Sequence, residues 1–140
     1  MKNEVQPTDL EECVRSWIND WNDHNLHAVM ALFHEDAVFI PWTGQCLKGK
    51  KSIQRAWARW FEKHGNFHFT IELIAVDKRQ KIVTLQWQLA WPSPDPKYKN
   101  KKELRKGVDI IEFHNELIVS KKSFCQTLLS IDAEDVYLHL

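Results

Sequence analysis

The sequence predicts an α+β domain: three N-terminal helices gathered on one face of a curved, mostly antiparallel sheet. Three observations carry that expectation. Up to Gly65 the apolar residues recur with a helical period near 3.6. After Gly65 the period changes to 2, the mark of strands with one face on a core. The chain has 140 residues, which fits one domain with its core over about 8–130. A chain of that size buries roughly 70% of the surface its unfolded form exposes, so it needs no staples.

The elements follow in order. Thr8-Asp9-Leu10-Glu11, after Pro7, is a capping box that opens a first helix running to about Trp21. Leu10, Cys13, Val14, Trp17, Ile18 and Trp21 form its buried stripe. Asn22-Asp23-His24-Asn25 breaks the pattern. Asn25 caps a short second helix with Leu26, Val29, Met30 and Phe33 on one side. Ala37 to Ile40 is a short strand closed by Pro41, and Trp42-Thr43-Gly44 is a turn. A third helix covers about Lys51 to His64, with a stripe of Ile53, Ala56, Trp57, Trp60 and Phe61, and stops at Gly65.

The strands come next. Phe67, Phe69, Ile71 and Leu73 alternate with His68, Thr70, Glu72 and Ile74, and Asp77 to Gln80 makes a turn. Val83, Leu85, Trp87, Leu89 and Trp91 then line one face of a second strand, which Pro92 to Pro96 closes. The basic run Lys97 to Lys106 reads as a solvated loop or a projecting hairpin end, with a lid as the sharper alternative. Gly107 to Phe113 is a strand, His114-Asn115-Glu116 a tight turn, and Leu117 to about Leu129 one last long strand. The tail 132–140 shows neither period.

Composition excludes several classes. Lys plus Arg and Asp plus Glu are both 19, so the net charge is zero, without the basic excess of a nucleic-acid binder. Near-neutral charge is compatible with oligomers. Cys13, Cys46 and Cys125 are odd in number and widely spaced, which argues against a disulfide framework or a zinc site and for free thiols in a reducing cytoplasm. No apolar run approaches the ~20 residues of a membrane span. Acidic residues occupy the start, where a signal peptide needs an apolar stretch, so a cytoplasmic location is expected. No phosphate loop, HExxH or nucleophile elbow occurs. Asp23, His24 and His27 crowd one helix corner, a poor arrangement for a metal, and no cofactor or metal is expected.

Two local phrases resemble a known family. The run ending AVMALFHEDAVF, with Asn22, Asn25, Leu26, Leu32, Phe33, Asp36 and Ala37, is similar to the opening of nuclear-transport-factor-2-like domains. GVDIIEFHNELIV is similar to that superfamily's penultimate strand and hairpin, and GKKSIQRAWARWF to its third helix. The likeness covers roughly Leu10 to Leu129 and points to the SnoaL-like and ketosteroid-isomerase-like branch. It implies a strongly curved, cystatin-like cone with an internal pocket, commonly a homodimer.

That cup suggests where chemistry sits. The chain has seven tryptophans. Trp17, Trp21, Trp42, Trp57, Trp87 and Trp91 are candidate walls, and the same reading extends to Phe61, Phe113 and Phe124. Ordinary core packing is the plain alternative for each. The implied ligand is a small hydrophobic or aromatic molecule. Asp109 shares strand parity with Ile111 and Phe113, so its carboxyl either holds a proton or meets a donor. It matches the position where ketosteroid isomerases hold an aspartic acid that donates to the developing oxyanion, which makes it the candidate catalytic acid or oxyanion donor. A surface position after a register shift, or a tie to a backbone amide or Arg105, is the alternative.

The departures are as informative. The isomerase tyrosine corresponds to Trp17, and the base aspartate to Ile40 or Pro41, neither of which takes a proton. Steroid isomerisation is therefore disfavoured. By pattern, none of the seven histidines falls in the cup. Two functions stay open. One is a binding cup, or an isomerase- or cyclase-type enzyme moving a proton next to a carbonyl. The other is a non-catalytic association or dimerisation module on the same fold.

Overall fold

The computed structural model describes residues 9–138. The helices are α1 (Leu10–Asn22), α2 (Leu26–Ala31) and α3 (Lys50–Lys63). The strands are β1 (Phe33–Ile40), β2 (Leu47–Lys48), β3 (His68–Asp77), β4 (Ile82–Pro92), β5 (Lys102–His114), β6 (Leu117–Cys125), β7 (Leu128–Ile131) and β8 (Glu134–Tyr137). They form one sheet in the order β2-β1-β6-β5-β4-β3, with β7 on β5 and β8 on β7. Only the β1·β6 pairing is parallel among the described residues. The three helices pack on one face of this strongly curved sheet, as the periodicity predicts.

Local chemistry explains the helix ends. Thr8 of the expected capping box lies outside the described residues. Asp9 is the N-cap of α1, and its carboxylate accepts from the Glu11 and Glu12 amides. Asn25 caps α2 by accepting from the Ala28 amide. Gly49 precedes α3 at φ +91°, a conformation that suits a residue without a Cβ. Asn22 then joins the helices to the sheet: its side-chain amide donates to the Phe69 carbonyl and accepts from the Phe69 amide, at 2.9 and 2.7 Å. It thus serves as a partner for the free edge of β3. His24 Nε2 donates to the Phe67 carbonyl at 3.0 Å while its ring stacks on Phe67, so this histidine is structural.

Several boundaries differ from expectation. Phe33 opens β1 rather than closing α2, and β2 was not anticipated. The basic run is not all solvated loop. A 3-10 turn at Pro96–Tyr98 is followed by the start of β5, where Glu103 and Arg105 are buried. The expected long last strand breaks after Cys125. The tail continues as the β7–β8 hairpin, turned by Asp132 and Ala133 at φ +50° and +68°.

Two extra residues reverse side-chain parity. In β3, Ile71 opposes Trp87 but Leu73 opposes Gln86, so Glu72 is a bulge. Leu73 therefore turns out, 54% exposed, while Ile74 packs against the core. In β6, Ile118 opposes Phe113 but Ser120 opposes Glu112, so Val119 is the extra residue. Strict alternation from the buried Ile118 would point Phe124 inward and Lys121 outward. The bulge exchanges them: Lys121 and Ser123 are buried, and Phe124 is 55% exposed.

Candidate functional site

Between α1, α3 and the concave face of β4–β6 lies a cavity of about 290 Å³. Its walls are mostly aromatic. Trp17, Ile18 and Trp21 come from α1, Ala56, Trp57 and Trp60 from α3, and Phe39, Phe69 and Trp87 from the sheet. The segment 41–47 forms one side, with Pro41, Trp42, Thr43, Gln45 and Leu47 facing the hollow. The rings brace one another edge to face. Trp21 and Trp57 lie 4.7 Å apart, and Phe39 and Trp57 5.0 Å apart, between ring centroids.

One glycine makes room for one wall. Gly107 of β5 lies opposite Trp87 of β4, and a Cβ there would sit 2.3 Å from Trp87 Cζ2 and 2.3 Å from the Phe124 carbonyl oxygen. Only a residue without a side chain lets the indole rest across β5.

The polar end of the cavity is Asp109 on β5 with Lys121 and Ser123 on β6. Lys121 Nζ lies 3.3 Å from Asp109 Oδ2 and donates to Ser123 Oγ at 2.7 Å. Its ammonium also faces aromatic rings, 4.5 Å from the Phe39 centroid and 5.7 Å from that of Trp57. Asp109 and Lys121 are only 5% and 7% exposed. Burial pushes the Lys121 ammonium below the usual lysine range, and the Asp109 carboxylate draws it part of the way back. Two buried polar atoms of the lining residues have no hydrogen-bond partner: Asp109 Oδ1 and Trp87 Nε1.

A second polar cluster sits toward the β4–β5 hairpin end. Glu103 Oε2 accepts from Arg105 Nε at 2.7 Å and from Trp91 Nε1, and its Oε1 accepts from Ser93 Oγ at 3.1 Å. The Arg105 guanidinium lies beside two indoles, 5.3 Å from Trp42 and 5.2 Å from Trp91. Glu103 is therefore occupied on both oxygens.

Of the residues expected from sequence, Trp17, Trp21, Trp42, Trp57, Trp87 and Asp109 border the cavity. Four others do not. Trp91 is held by Glu103, Phe61 packs between Trp21 and Phe67, and Phe113 is core on the same face. Phe124 is turned to the outer face by the Val119 bulge. Trp17 brings no free donor either, because its indole N–H donates to the Val29 carbonyl at 3.0 Å. Asp109 meets its donor in Lys121, while Arg105 is engaged by Glu103. Sequence reasoning missed Lys121, Ser123, Phe39, Trp60 and Phe69. Among the described residues, no group of His, Cys, Asp and Glu converges as metal ligands would, and no helix is long and apolar enough to cross a membrane.

Helices on a strongly curved sheet around an aromatic hollow define a nuclear-transport-factor-2-like, cystatin-like cone. Residues 14–121 match the SnoaL-like domain model, and the chain belongs to that family. Solved structures share the architecture. An NTF2-like protein of unknown function from Burkholderia pseudomallei superposes with a TM-score of 0.71 at 12% identity, covering 86% of this chain and 92% of its own. SalBIII, an epoxide hydrolase/cyclase-like enzyme in pyran ring formation in the polyether salinomycin, gives 0.71 at 17% identity, covering 83% and 89%. A putative polyketide cyclase from Pseudomonas putida gives 0.66 at 12% identity, covering 79% and 86%. No curated protein matches the chain in sequence. At these identities the likeness speaks to the fold alone.

Proposed function

We propose that the chain is a small-molecule cup that takes an apolar, ring-bearing compound with a carbonyl group and moves a proton at the carbon beside it. The observation that carries this reading is the pair of buried, unpartnered polar atoms on cavity-lining residues, Asp109 Oδ1 and Trp87 Nε1. A buried polar group left without a partner costs about 1–3 kcal/mol, and a ligand carbonyl and its acidic C–H would satisfy both. The volume of about 290 Å³ lies at the small end of ligand sites, which suits one or two fused rings. An interior packed solid would have favoured an association module instead.

The roles follow from the ion pair. With the proton on Lys121, the Asp109 carboxylate is the base that takes the C–H proton, and Lys121 and Trp87 donate to the oxygen where charge develops. With the proton on Asp109, that carboxyl becomes the acid. Surrounding indoles exclude water and strengthen each of these contacts.

The test uses 2-tetralone, a bicyclic ketone with exchangeable hydrogens. Binding should quench tryptophan fluorescence, and the protein should speed deuterium exchange at the carbon beside the carbonyl. Asp109→Asn should retain quenching and lose about 10²–10⁴-fold of the exchange rate. Unaltered fluorescence across a panel of such ketones would remove the cup reading.

A further inference from the structure

Lys121 has no role in the isomerase pattern, and its setting is unusual for a lysine. It is the one buried lysine among the described residues. It is on the cavity wall because the Val119 bulge turns it inward. Its side chain is 9% exposed, and its Nζ lies over the Phe39 and Trp57 rings and beside the carboxylate of Asp109. Stability alone does not call for such a pair, because apolar residues of similar volume in place of a buried ion pair are often neutral or stabilising. The pair is also unsaturated, with Asp109 Oδ1 left bare.

We propose that Lys121 is a covalent carbonyl-binding residue, whose Nζ condenses with the ketone or aldehyde of an apolar ligand in the cavity. This deepens, and rests on, the cup reading above. The step balances within the pair. Lys121 passes a proton to Asp109, 3.3 Å away, which leaves a free amine and a carboxylic acid. The Nζ lone pair forms the C–N bond as the C=O π bond opens onto oxygen. One of the two protons on the now cationic nitrogen passes to that oxygen to give the neutral carbinolamine, with Asp109 still protonated. Asp109 then protonates the hydroxyl, the C–O bond breaks, and water leaves. The products are a protonated imine on Lys121 and an Asp109 carboxylate. That carboxylate, next to an iminium, is placed to take the adjacent C–H proton and yield an enamine. Ser123 Oγ, 2.7 Å from Nζ, keeps the amine oriented throughout.

Two features make Lys121 suited to this where other lysines are not. Burial among rings favours the uncharged amine, the nucleophilic form, as it does for lysines that form Schiff bases. The neighbouring carboxyl supplies the acid for loss of water without solvent access.

The experiment is reductive trapping on the full chain. The protein is incubated with substoichiometric 2-tetralone and sodium cyanoborohydride, digested, and mapped by peptide mass spectrometry, with tryptophan fluorescence recorded alongside. The expected result is an alkylated Lys121 in at least tenfold excess over any surface lysine. Asp109→Asn should slow its labelling, and Lys121→Arg should lose the label. Quenching by the ketone with Lys121 labelled no more than Lys122 or Lys106 overturns the covalent inference and leaves the cup standing. Absence of both quenching and selective label overturns the two together. The wild-type measurement decides this even where a variant fails to fold.

Discussion

Two ion pairs are buried along the same face of β5, only four residues apart from Arg105 to Asp109, and they are built to opposite rules. Glu103–Arg105 is closed. Both Glu103 oxygens are engaged, by Arg105, Trp91 and Ser93, and the guanidinium also meets the Trp42 and Trp91 rings. Asp109–Lys121 is open. One carboxylate oxygen has no partner, and both side chains border the cavity. A saturated buried network rigidifies a core, whereas a half-saturated one leaves a costly unpaired polar group. Both pairs are buried and oppositely charged, so what sets them apart is the count of satisfied atoms.

The sharpest way to break this contrast is at Glu103. Glu103→Ala strands a buried guanidinium and removes the acceptor for Trp91 and Ser93. It should cost about 3–5 kcal/mol in urea unfolding. A loss below ~1 kcal/mol would show that the closed pair holds nothing. Next comes the strand between the pairs. Gly107→Ala drives a Cβ into Trp87 and the Phe124 carbonyl, with an expected loss of about 1–3 kcal/mol. Because Trp87 is a cavity wall, the ketone's fluorescence response should fall with it. The smallest effect belongs to the open pair. The double replacement Asp109→Leu with Lys121→Met should leave stability unchanged or raise it by about 1 kcal/mol, while abolishing proton exchange. If the double variant were as unstable as Glu103→Ala, the open pair would be scaffold too.

Much of this was readable in the chain. The α1 and α3 stripes, the Asn25 cap, the alternation of Val83 through Trp91 and the turn at Asn115 and Glu116 each reflect a local rule: a period, a side-chain oxygen near free amides, a backbone in the left-handed region. Asp109 was readable for the same reason, since it keeps parity with Ile111 and Phe113 along an unbroken stretch of β5. The basic composition around Glu103 concealed a buried pair, because composition does not register which strand face the core covers.

The chain's own order of residues therefore determined the three helices with their buried faces, the inner face of β4, and one half of the polar site. Lys121 was decided only in three dimensions. A single extra residue at Val119 reverses which side chains of β6 face inward, and nothing in the local pattern marks it. Bulges arise from how two strands must bend to close a curved sheet, a demand set by partners distant in sequence. The cavity has the same origin. Helical and strand periods say which residues avoid water, but whether they meet or leave a hollow depends on how the rings of the helices and of the sheet fit together.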